Sequence, residues 1–193
     1  MNSLSSGPDT QANENKLVLR AQKGDSEAFG LLYAGYLDPI YRYVYFRVDS
    51  VETAEDLTEE VFVRAWEALP SYEVRKYPFK SWLYRIAHNL VIDHRRKQQP
   101  VTVDDEILHS IASPTHMPED LVVSLQDTEA LLRAVRMLDE EEQQVVILRF
   151  VEGLSHKEVA EIIGKSEEAS RVIQYRGIQR LQNYLTDREA SDE

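Results

Sequence analysis

The sequence predicts an all-α protein made of two small helical domains joined by a flexible acidic linker. Apolar residues recur at helical spacing in nearly every segment, and neither an alternating strand pattern nor an Asn-Gly hairpin turn occurs. One stretch without sustained periodicity, PVTVDDEILHSIASPTHMP, has three prolines and no lysine or arginine. We therefore expect a disordered tail at 1–13, domains at 14–99 and 119–187, the linker at 100–118 and a tail at 188–193.

Capping signals support the individual helices. Asp25 is placed to cap one helix, Pro39 follows Asp38 at a first helical position, and Ser155 with Glu158 forms a capping-box pattern. With the apolar spacing, they predict helices at 14–23, 25–37, 39–48, 51–69, 79–97, 119–138, 140–151, 155–163 and 167–187.

The charge distribution is uneven. The formal net charge is −12, yet residues 71–100 and 164–181 are net positive within an acidic background. Non-specific binding to nucleic acid depends on phosphates neutralised by Lys and Arg. Any contact with DNA is therefore expected to be local or assisted by a partner.

Composition also restricts the compartment and the chemistry. The chain has no cysteine, which excludes disulfides and thiolate metal sites and fits a reducing cytosol. No apolar run reaches the roughly 18 residues of a membrane span, and the N-terminus lacks the pattern of a secretion signal. We expect a cytoplasmic protein without membrane insertion.

A basic amphipathic helix follows Tyr77 in YPFKSWLYRIAHNLVIDHRRK. Its apolar face consists of Phe79, Trp82, Leu83, Ile86, Ala87, Leu90 and Val91. Its other faces carry cations, rings and amides, namely Lys80, Tyr84, Arg85, His88, Asn89, Arg95, Arg96 and Lys97. Taken alone, the pattern fits a surface for a polyanion or the solvated face of a core helix.

The segment 154–181, LSHKEVAEIIGKSEEASRVIQYRGIQRL, has the layout of a helix-turn-helix. Gly164 supplies the turn and Ser166 caps the second helix. An inward stripe contains Ser170, Ile173, Gly177 and Leu181, while Arg171, Gln174, Tyr175 and Arg176 project elsewhere. Such a helix can lie in a major groove, with Arg reaching guanine and Gln reaching adenine. The alternative is a plain αα-hairpin in a core.

Three blocks in order resemble the extracytoplasmic-function (ECF) sigma factors of bacterial RNA polymerase, in the sigma-70 family. GDSEAFGLLYAGYLDPIYRYVYFRV with AEDLTEEVFVRAW resembles the first part of sigma domain 2, and YPFKSWLYRIAHNLVIDHRRK resembles its promoter-melting part. The third block, LDEEEQQVVILRFVEGLSHKEVAEIIGKSEEASRVIQYRGIQRL, resembles sigma domain 4. The resemblance implies a domain 2 helical bundle at 14–99 that binds core polymerase and the −10 element. It also implies that 119–187 binds the −35 element.

The helix around AEDLTEEVFVRAWEAL supplies the polymerase-binding residues implied by the resemblance. Leu57, Val61, Ala65 and Leu69, with Phe62 and Trp66 beside them, are expected to face the core. The matching family positions dock on the clamp helices of the largest polymerase subunit, which here gives Asp56, Glu59, Glu60, Phe62 and Arg64. Phe62 fits either the core or an anchor, and the acidic face also fits a merely solvated surface.

For the −10 element, the resemblance implies recognition of single-stranded promoter DNA. A flipped base needs stacking surfaces and hydrogen-bond partners, and a melted strand needs a cationic track. The residues expected to supply them are Lys76, Tyr77, Lys80, Tyr84, Arg85, His88, Asn89, Arg95 and Arg96, with Tyr72 and Arg75 in the preceding loop. Trp82 is expected in the core, and His88 departs from the arginine often found there.

For the −35 element, the expected residues are Ser166, Glu168, Arg171, Val172, Gln174, Tyr175 and Arg176. Two positions depart from the family pattern. Glu168 stands where many members have glycine, and Ser170 where many have valine. The first opposes close phosphate approach and the second implies a slightly looser core.

The resemblance implies a function in transcription initiation: directing core RNA polymerase to promoters and helping to melt them. The implied partners are core RNA polymerase, promoter DNA and an anti-sigma factor, in a stress response. The linker then either mimics nucleic acid in the polymerase or is a solvated tether. The alternative function is a stand-alone helix-turn-helix regulator, which binds as a dimer and leaves the basic helix unused.

An enzyme is disfavoured. The chain has no Gly-rich phosphate loop, no HExxH and no cysteine, and His88 and His94 face different sides of one helix. We expect no catalytic residues, no metal and no cofactor.

Overall fold

The computed structural model describes residues 8–74, 76–98 and 125–189, and all regular elements in these ranges are helical. The α-helices are α1 Pro8–Ala21, α2 Ser26–Tyr45, α3 Val51–Ala68, α4 Phe79–Gln98, α5 Leu125–Arg136, α6 Glu140–Val146, α7 His156–Ile163 and α8 Glu167–Glu189. A 3₁₀ turn at Leu69–Ser71 follows α3, and a π-helical turn at Ile147–Val151 follows α6. The predicted all-α class is confirmed.

The described residues form two compact units. The first contains 8–41 and 55–98, and the second contains 42–54 and 125–189. The segment 42–54, which the sequence predicts within the N-terminal domain, packs with the C-terminal helices. The predicted linker and the first residues of the second predicted domain lie outside the described residues.

The first unit has an aromatic and aliphatic core drawn from all four of its helices. Its fully buried side chains include Val18, Ile40, Val61, Phe79, Leu83 and Val91. Gln22 adds a polar tie, since its Nε2 donates to the backbone oxygens of Leu69 at 3.0 Å and Tyr72 at 2.6 Å. These bonds fix the segment that leads into the basic helix α4.

Helix α2 runs without a break through Pro39, so the prediction of two helices that meet at Asp38 is wrong. Proline in a helix interior removes one backbone hydrogen bond and crowds the carbonyl of the residue four positions earlier. Here that residue is Gly35. Tyr36 and Ile40 are buried on either side of Pro39, and this packing offsets the lost hydrogen bond.

Helix α1 begins at Pro8, six residues before the predicted start, so 8–13 is not a disordered tail. Proline is preferred at a first helical position. The side chain of Gln11 donates to Glu14 at 2.9 Å and to Asn15 at 3.3 Å, which are helical i,i+3 and i,i+4 pairs. Residues 1–7 lie outside the described part of the chain.

The second unit is organised around the close approach of α6 and α8. Val145, Ile147, Leu148 and Val159 are fully buried. A Cβ added to Gly177 would lie 2.8 Å from Val146 Cγ2, so the absence of a side chain lets α8 lie against α6. The sequence predicts one α-helix at 140–151, whereas its last turn widens into the π-helical turn.

Candidate nucleic-acid and polymerase surfaces

In the first unit, Tyr77 precedes α4 and presents an exposed ring beside two cations. Its side chain is 38% exposed. The guanidinium carbon of Arg85 lies 4.2 Å from the ring centroid and Lys76 Nζ lies 5.9 Å from it. An aromatic ring flanked by cations offers one surface for a base and charges for the adjoining phosphates.

Next to Tyr77 lies an aromatic cluster formed by buried Tyr72 and Phe79 and by Trp82, which is half-buried rather than fully in the core as expected. The ring centroids of Tyr72 and Trp82 are 4.7 Å apart, and those of Phe79 and Trp82 are 5.6 Å apart. The Tyr72 hydroxyl donates to the backbone oxygen of Tyr77 at 2.5 Å. Burial raises the pKa of Tyr72 to about 12, so the hydroxyl keeps its proton at neutral pH. The cluster therefore fixes the backbone that carries Tyr77.

The other predicted −10 residues divide by exposure. Lys76, Asn89 and Arg96 are exposed, while Lys80, Arg85, His88 and Arg95 are half-buried. Arg75 lies outside the described residues.

Tyr84 and Tyr72 are corrections to this set. Tyr84 is 1% exposed and belongs to the core of the first unit, and Tyr72 is also buried. Neither ring is available for stacking on a base. Tyr84 lies next to the apolar face of α4. Its ring is buried because the free energy gained by burying the aromatic ring exceeds the cost of removing the hydroxyl from bulk water.

Helix α3 presents the acidic surface that the sequence predicts. Asp56, Glu59, Glu60 and Arg64 are exposed, and Arg64 pairs with Glu60 at 2.5 Å. The expected core residues Leu57, Val61, Ala65 and Leu69 are buried.

Apolar side chains accompany this acidic surface. Phe62 is buried against Tyr33 with ring centroids 4.7 Å apart, so its position is that of a core residue. Trp66 is exposed beside Phe29, which corrects the expectation that it faces the core. Val63 is exposed too. The sequence offered a signal for Val63, because it stands three residues after Glu60 on the same helix face.

The helix-turn-helix geometry is complete in the second unit. Ser155 and Glu158 form both bonds of a capping box at the start of α7. Gly164 ends α7 in the left-handed region, with φ of 69°. Ser166 caps α8, since its Oγ accepts from the backbone N–H of Ala169 at 3.1 Å. All three local predictions are confirmed.

Helix α8 presents a polar and aromatic outer face. Ser170 and Ile173 are buried, as the predicted inward stripe requires, and Gly177 lies against α6. The exposed side consists of Glu168, Arg171, Val172, Tyr175 and Arg176, with Ser166 exposed at its start. This face has the residue types of a helix that reads a major groove.

Gln174 lies apart from that face. Its Oε1 accepts from Arg149 Nε at 3.0 Å, and Arg149 also donates to the backbone oxygen of Leu154. Reading adenine requires both the oxygen and the amide nitrogen of a glutamine. With its oxygen engaged by Arg149, Gln174 connects α8 to the preceding π-helical turn.

Two titratable groups shape the electrostatics of the helix-turn-helix. Desolvation, followed by the charges of Arg149 and Arg171, lowers the pKa of His156, whose Nδ1 lies 3.0 Å from Ser170 Oγ. Hydrogen bonds from its own backbone N–H and from Ser166 lower the pKa of Glu168. The sequence did not single out His156, because its neighbours Ser170 and Arg171 come from α8 and Arg149 comes from the π-helical turn.

Among the described residues, no group of three or more His, Asp and Glu side chains is arranged to hold a metal ion. In those same ranges no helix has both the length and the apolar character to cross a membrane.

The two halves of the sequence match two parts of one protein family. Residues 32–101 match Sigma-70 region 2, and residues 128–181 match Sigma-70 region 4. The order is the one that the sequence blocks predict.

Relatives that match most of the chain belong to the same family. The ECF RNA polymerase sigma factor BldN of Streptomyces coelicolor is 41% identical over 175 residues, which are 89% of this chain and 66% of that protein. The ECF RNA polymerase sigma factor SigW of Bacillus subtilis is 32% identical over 181 residues, which are 89% of this chain and 96% of SigW.

Solved structures share the fold. CnrH in complex with the cytosolic domain of CnrY has a TM-score of 0.71 at 22% identity, covering 91% of this chain and 98% of that one. The sigma factor RpoE, solved with the anti-sigma factor NepR from Bartonella quintana, has a TM-score of 0.62 at 22% identity, with 82% and 96% covered. With the family matches and the relatives, the chain belongs to the ECF sigma factors of bacterial RNA polymerase, within the sigma-70 family.

Proposed function

We propose that this sigma factor directs core RNA polymerase to promoters with −35 and −10 elements and holds the −10 strand after melting. The observation that carries the proposal is the exposed Tyr77 ring, flanked by Arg85 and Lys76. A duplex-reading regulator has no use for such a platform, whereas a protein that captures an unstacked base requires one.

The −10 surface consists of Tyr77 and the cations and amide around it. Arg85 and Lys76 stand beside the ring, and Asn89 is exposed further along α4. Stacking on the Tyr77 ring replaces part of the stacking energy that a base loses when it leaves the duplex. The cations neutralise the phosphates next to that base. Arg95 and Arg96 in the last turns of α4 extend the track.

The −35 surface is the outer face of α8. Arg171 and Arg176 supply guanidinium groups for guanine or phosphate, and Val172 and Tyr175 supply apolar contact. Glu167 and Glu168 stand at the N-terminus of α8, where their charge opposes phosphate. We therefore place the middle of this helix, rather than its first turn, closest to the bases.

The acidic face of α3 is the proposed contact with core polymerase. Glu59 and Glu60 lie one turn before exposed Val63 and Asp56 lies two turns before it, while Trp66 lies one turn beyond Phe62. Interfaces are strongest where an apolar or aromatic centre is rimmed by polar groups. Because Phe62 is buried, its part is to support this surface from below.

We also place the protein in the cytoplasm, where polymerase works, and propose an anti-sigma factor as its regulator. The zero cysteine content fits a reducing compartment. The structurally similar RpoE is bound to the anti-sigma factor NepR, and we extend that kind of partner to this chain.

Run-off transcription with purified core polymerase and fragmented genomic DNA tests the proposal, with sequencing of the RNA 5′ ends. We expect new start sites that share two conserved blocks upstream. Start sites identical to those of core polymerase alone would contradict the proposal. Variants Y77A and Y77F serve as a matched pair, since only the first removes the ring.

The second candidate is a stand-alone regulator, which the complete helix-turn-helix favours. It predicts tight binding of the free chain to duplex DNA as a dimer at paired half-sites. Sedimentation of the free chain with the promoter fragments identified by run-off transcription distinguishes the two candidate functions. An initiation factor binds such a duplex weakly without polymerase, whereas a stand-alone regulator binds it as a dimer.

A further inference from the structure

His156, the first residue of α7, lies at the junction of three elements, because α7 packs against both α8 and the π-helical turn. Its Nδ1 lies 3.0 Å from Ser170 Oγ, and Ser170 is fully buried in α8. The imidazole itself is half-buried. On its own helix, Lys157 is exposed, and the Glu158 carboxylate accepts from Ser155 in the capping box. The ring therefore has a fixed position and still reaches the surface.

Arg149 of the π-helical turn contributes a charge that no carboxylate balances. Its Nε donates to Gln174 Oε1 at 3.0 Å and its Nη1 donates to the backbone oxygen of Leu154, and both acceptors are neutral. Elsewhere in this unit, Arg171 and Arg180 each pair with a carboxylate. Among the described residues, none accepts a hydrogen bond from Arg149 Nη2. Arg149 is thus held in place with its full charge and one donor group available to an anion.

The charged groups that face His156 form a net positive cluster. They are Arg149 from the π-helical turn, and Glu167 and Arg171 from α8. Arg171 lies 3.3 Å from Glu167, so two guanidinium groups face a single carboxylate. Desolvation, followed by the charges of Arg149 and Arg171, lowers the pKa of His156, so the free chain resists adding a third positive charge here.

We propose that Arg149, His156 and Arg171 hold one backbone phosphate of the −35 duplex and that His156 takes up a proton when they do so. The proposal rests on the proposed function, in which α8 lies in the major groove. In a helix-turn-helix the first helix crosses the DNA backbone while the second lies in the groove. His156 begins the first helix, and Arg171 is exposed on the second. The backbone at the edge of the groove therefore passes both helices.

A bound phosphate changes the electrostatic balance at the imidazole. Its negative charge offsets the charges of Arg149 and Arg171, so it raises the pKa of His156 above the lowered value of the free chain. At a pH between the free and the bound values, binding takes up one proton. The affinity for DNA therefore rises as the pH falls through this window. Above the window the ring is neutral in both states, and the affinity does not depend on its titration.

The first test measures binding of the full chain to a −35 duplex and to a scrambled duplex of the same length, by fluorescence anisotropy at about 50 mM salt. A phosphate contact does not depend on base sequence. Both duplexes should therefore bind more tightly from about pH 8 to about pH 5.5, by up to about tenfold per pH unit. H156N keeps a polar group near Ser170 without the titration and should lose this dependence. K23A, in the other unit, should keep it.

The second test concerns Arg149, for which R149A and R149K are a matched pair. R149A removes the charge and should reduce the slope of the logarithm of the binding constant against that of salt concentration by about 0.9, the effect of one phosphate. R149K keeps the charge and should stay near the parent slope. If R149A loses helical circular dichroism, NMR titration of His156 in the parent chain replaces it. The pKa of the imidazole should then be higher with duplex than without it.

The outcomes separate the phosphate site from the proposed function. A pH dependence in H156N equal to that of the parent, a salt slope unchanged in folded R149A, or a His156 pKa that the duplex does not raise overturns the site. Each of these results is compatible with a chain that still directs polymerase to promoters. If polymerase is not directed to promoters but the scrambled duplex still raises the pKa of His156, the proposed function fails and the phosphate site stands.

Discussion

At the scale of single residues, substitution of Tyr77 is the most direct test of the −10 surface. We predict that Y77A weakens binding of the polymerase complex to a single-stranded −10 oligonucleotide by roughly 1–3 kcal/mol, the usual effect of one stacked base. Y77F keeps the ring and should bind nearly as well. Fluorescence anisotropy of a labelled oligonucleotide measures both.

Two results bear on this interpretation of Tyr77. Binding of both variants to a −35 duplex should be unchanged, because α8 lies in the other unit. Equal losses in Y77A and Y77F would contradict stacking and would assign the effect to the hydroxyl.

His156 gives a pH-dependent prediction. Its pKa is lowered by desolvation and by Arg149 and Arg171, so the unfolded chain binds a proton more readily than the folded one. Stability is therefore fully present above the ordinary pKa of about 6.5 and is lost as pH falls through the lower folded value. NMR titration of the imidazole, assigned with H156Q, should give a pKa below that of a free histidine.

The neighbours of His156 supply the control. R149A and R171A each remove a positive charge and should raise the pKa of His156. A pKa at or above the ordinary value in the parent chain would show that the ring is hydrated and that the two guanidinium groups are screened.

Residue-scale prediction from the sequence succeeded where the partner is local and failed where it is distant. The caps at Asp25, Ser155 and Ser166 each involve a partner three residues away. Gln174 instead binds Arg149, 25 residues earlier, and no periodicity reveals that pair. Helical spacing also gives the position of the Tyr84 Cα on the helix, but it does not show that the ring extends into the core.

At the scale of elements, the approach of α8 to α6 depends on Gly177. In an ordinary helix, Gly→Ala stabilises by roughly 0.5–1 kcal/mol. Here the new Cβ would lie 2.8 Å from a methyl of Val146, which is β-branched and cannot easily rotate away. We predict that G177A lowers the free energy of unfolding by about 1 kcal/mol or more, because overpacking costs about 1–3 kcal/mol.

Gly30 of α2 is the matched control, since no atom lies within 4 Å of its added Cβ. We expect G30A to raise the free energy of unfolding by roughly 0.5–1 kcal/mol in the same urea titration. Adding V146A to G177A should recover part of the loss. If G177A instead raised the free energy of unfolding, α6 and α8 would be able to move apart for the new methyl group without loss of stability.

The capping box of α7 is a second element-scale test. Ser155 Oγ accepts from the Glu158 N–H at 3.3 Å, and the Glu158 carboxylate accepts from the Ser155 N–H at 2.8 Å. S155A should lower the free energy of unfolding by about 1 kcal/mol, and S155T should restore most of it, because Thr is also a good cap. If S155A were as stable as the parent chain, tertiary packing rather than the capping box would determine where α7 begins.

The elements themselves were largely predictable, and the exceptions have physical causes. Proline is a strong local signal for a helix start, yet Pro39 lies inside α2 because buried Tyr36 and Ile40 continue the helix. The π-helical turn at 147–151 has no equivalent signal, since neither a proline, a glycine nor a side-chain cap marks the change in hydrogen-bond register within ILRFV.

At the scale of the whole molecule, the two-unit organisation was foreseen but the place of 42–54 was not. The run RYVYFR is typical of the end of a helix in the N-terminal domain, and its largely apolar character fits burial anywhere. Its partners Gln143 and Glu152 lie about a hundred residues away in the sequence. Local pattern therefore identifies such a segment as buried but does not identify what buries it.

The last prediction concerns how an acidic chain binds DNA. With a net charge of −12, the free protein should bind promoter duplex weakly, because few phosphates are neutralised by the cations of α8. The logarithm of the binding constant should fall with the logarithm of salt concentration at about −0.9 per phosphate contacted. If Arg176 contacts a phosphate, R176A reduces that slope by about one, whereas K23E, on the other unit, leaves it unchanged. Core polymerase should raise the affinity of the parent chain and of both variants. Anisotropy titrations between 50 and 200 mM salt measure all of these quantities, and tight binding of the free chain with two copies per site would favour the stand-alone regulator instead.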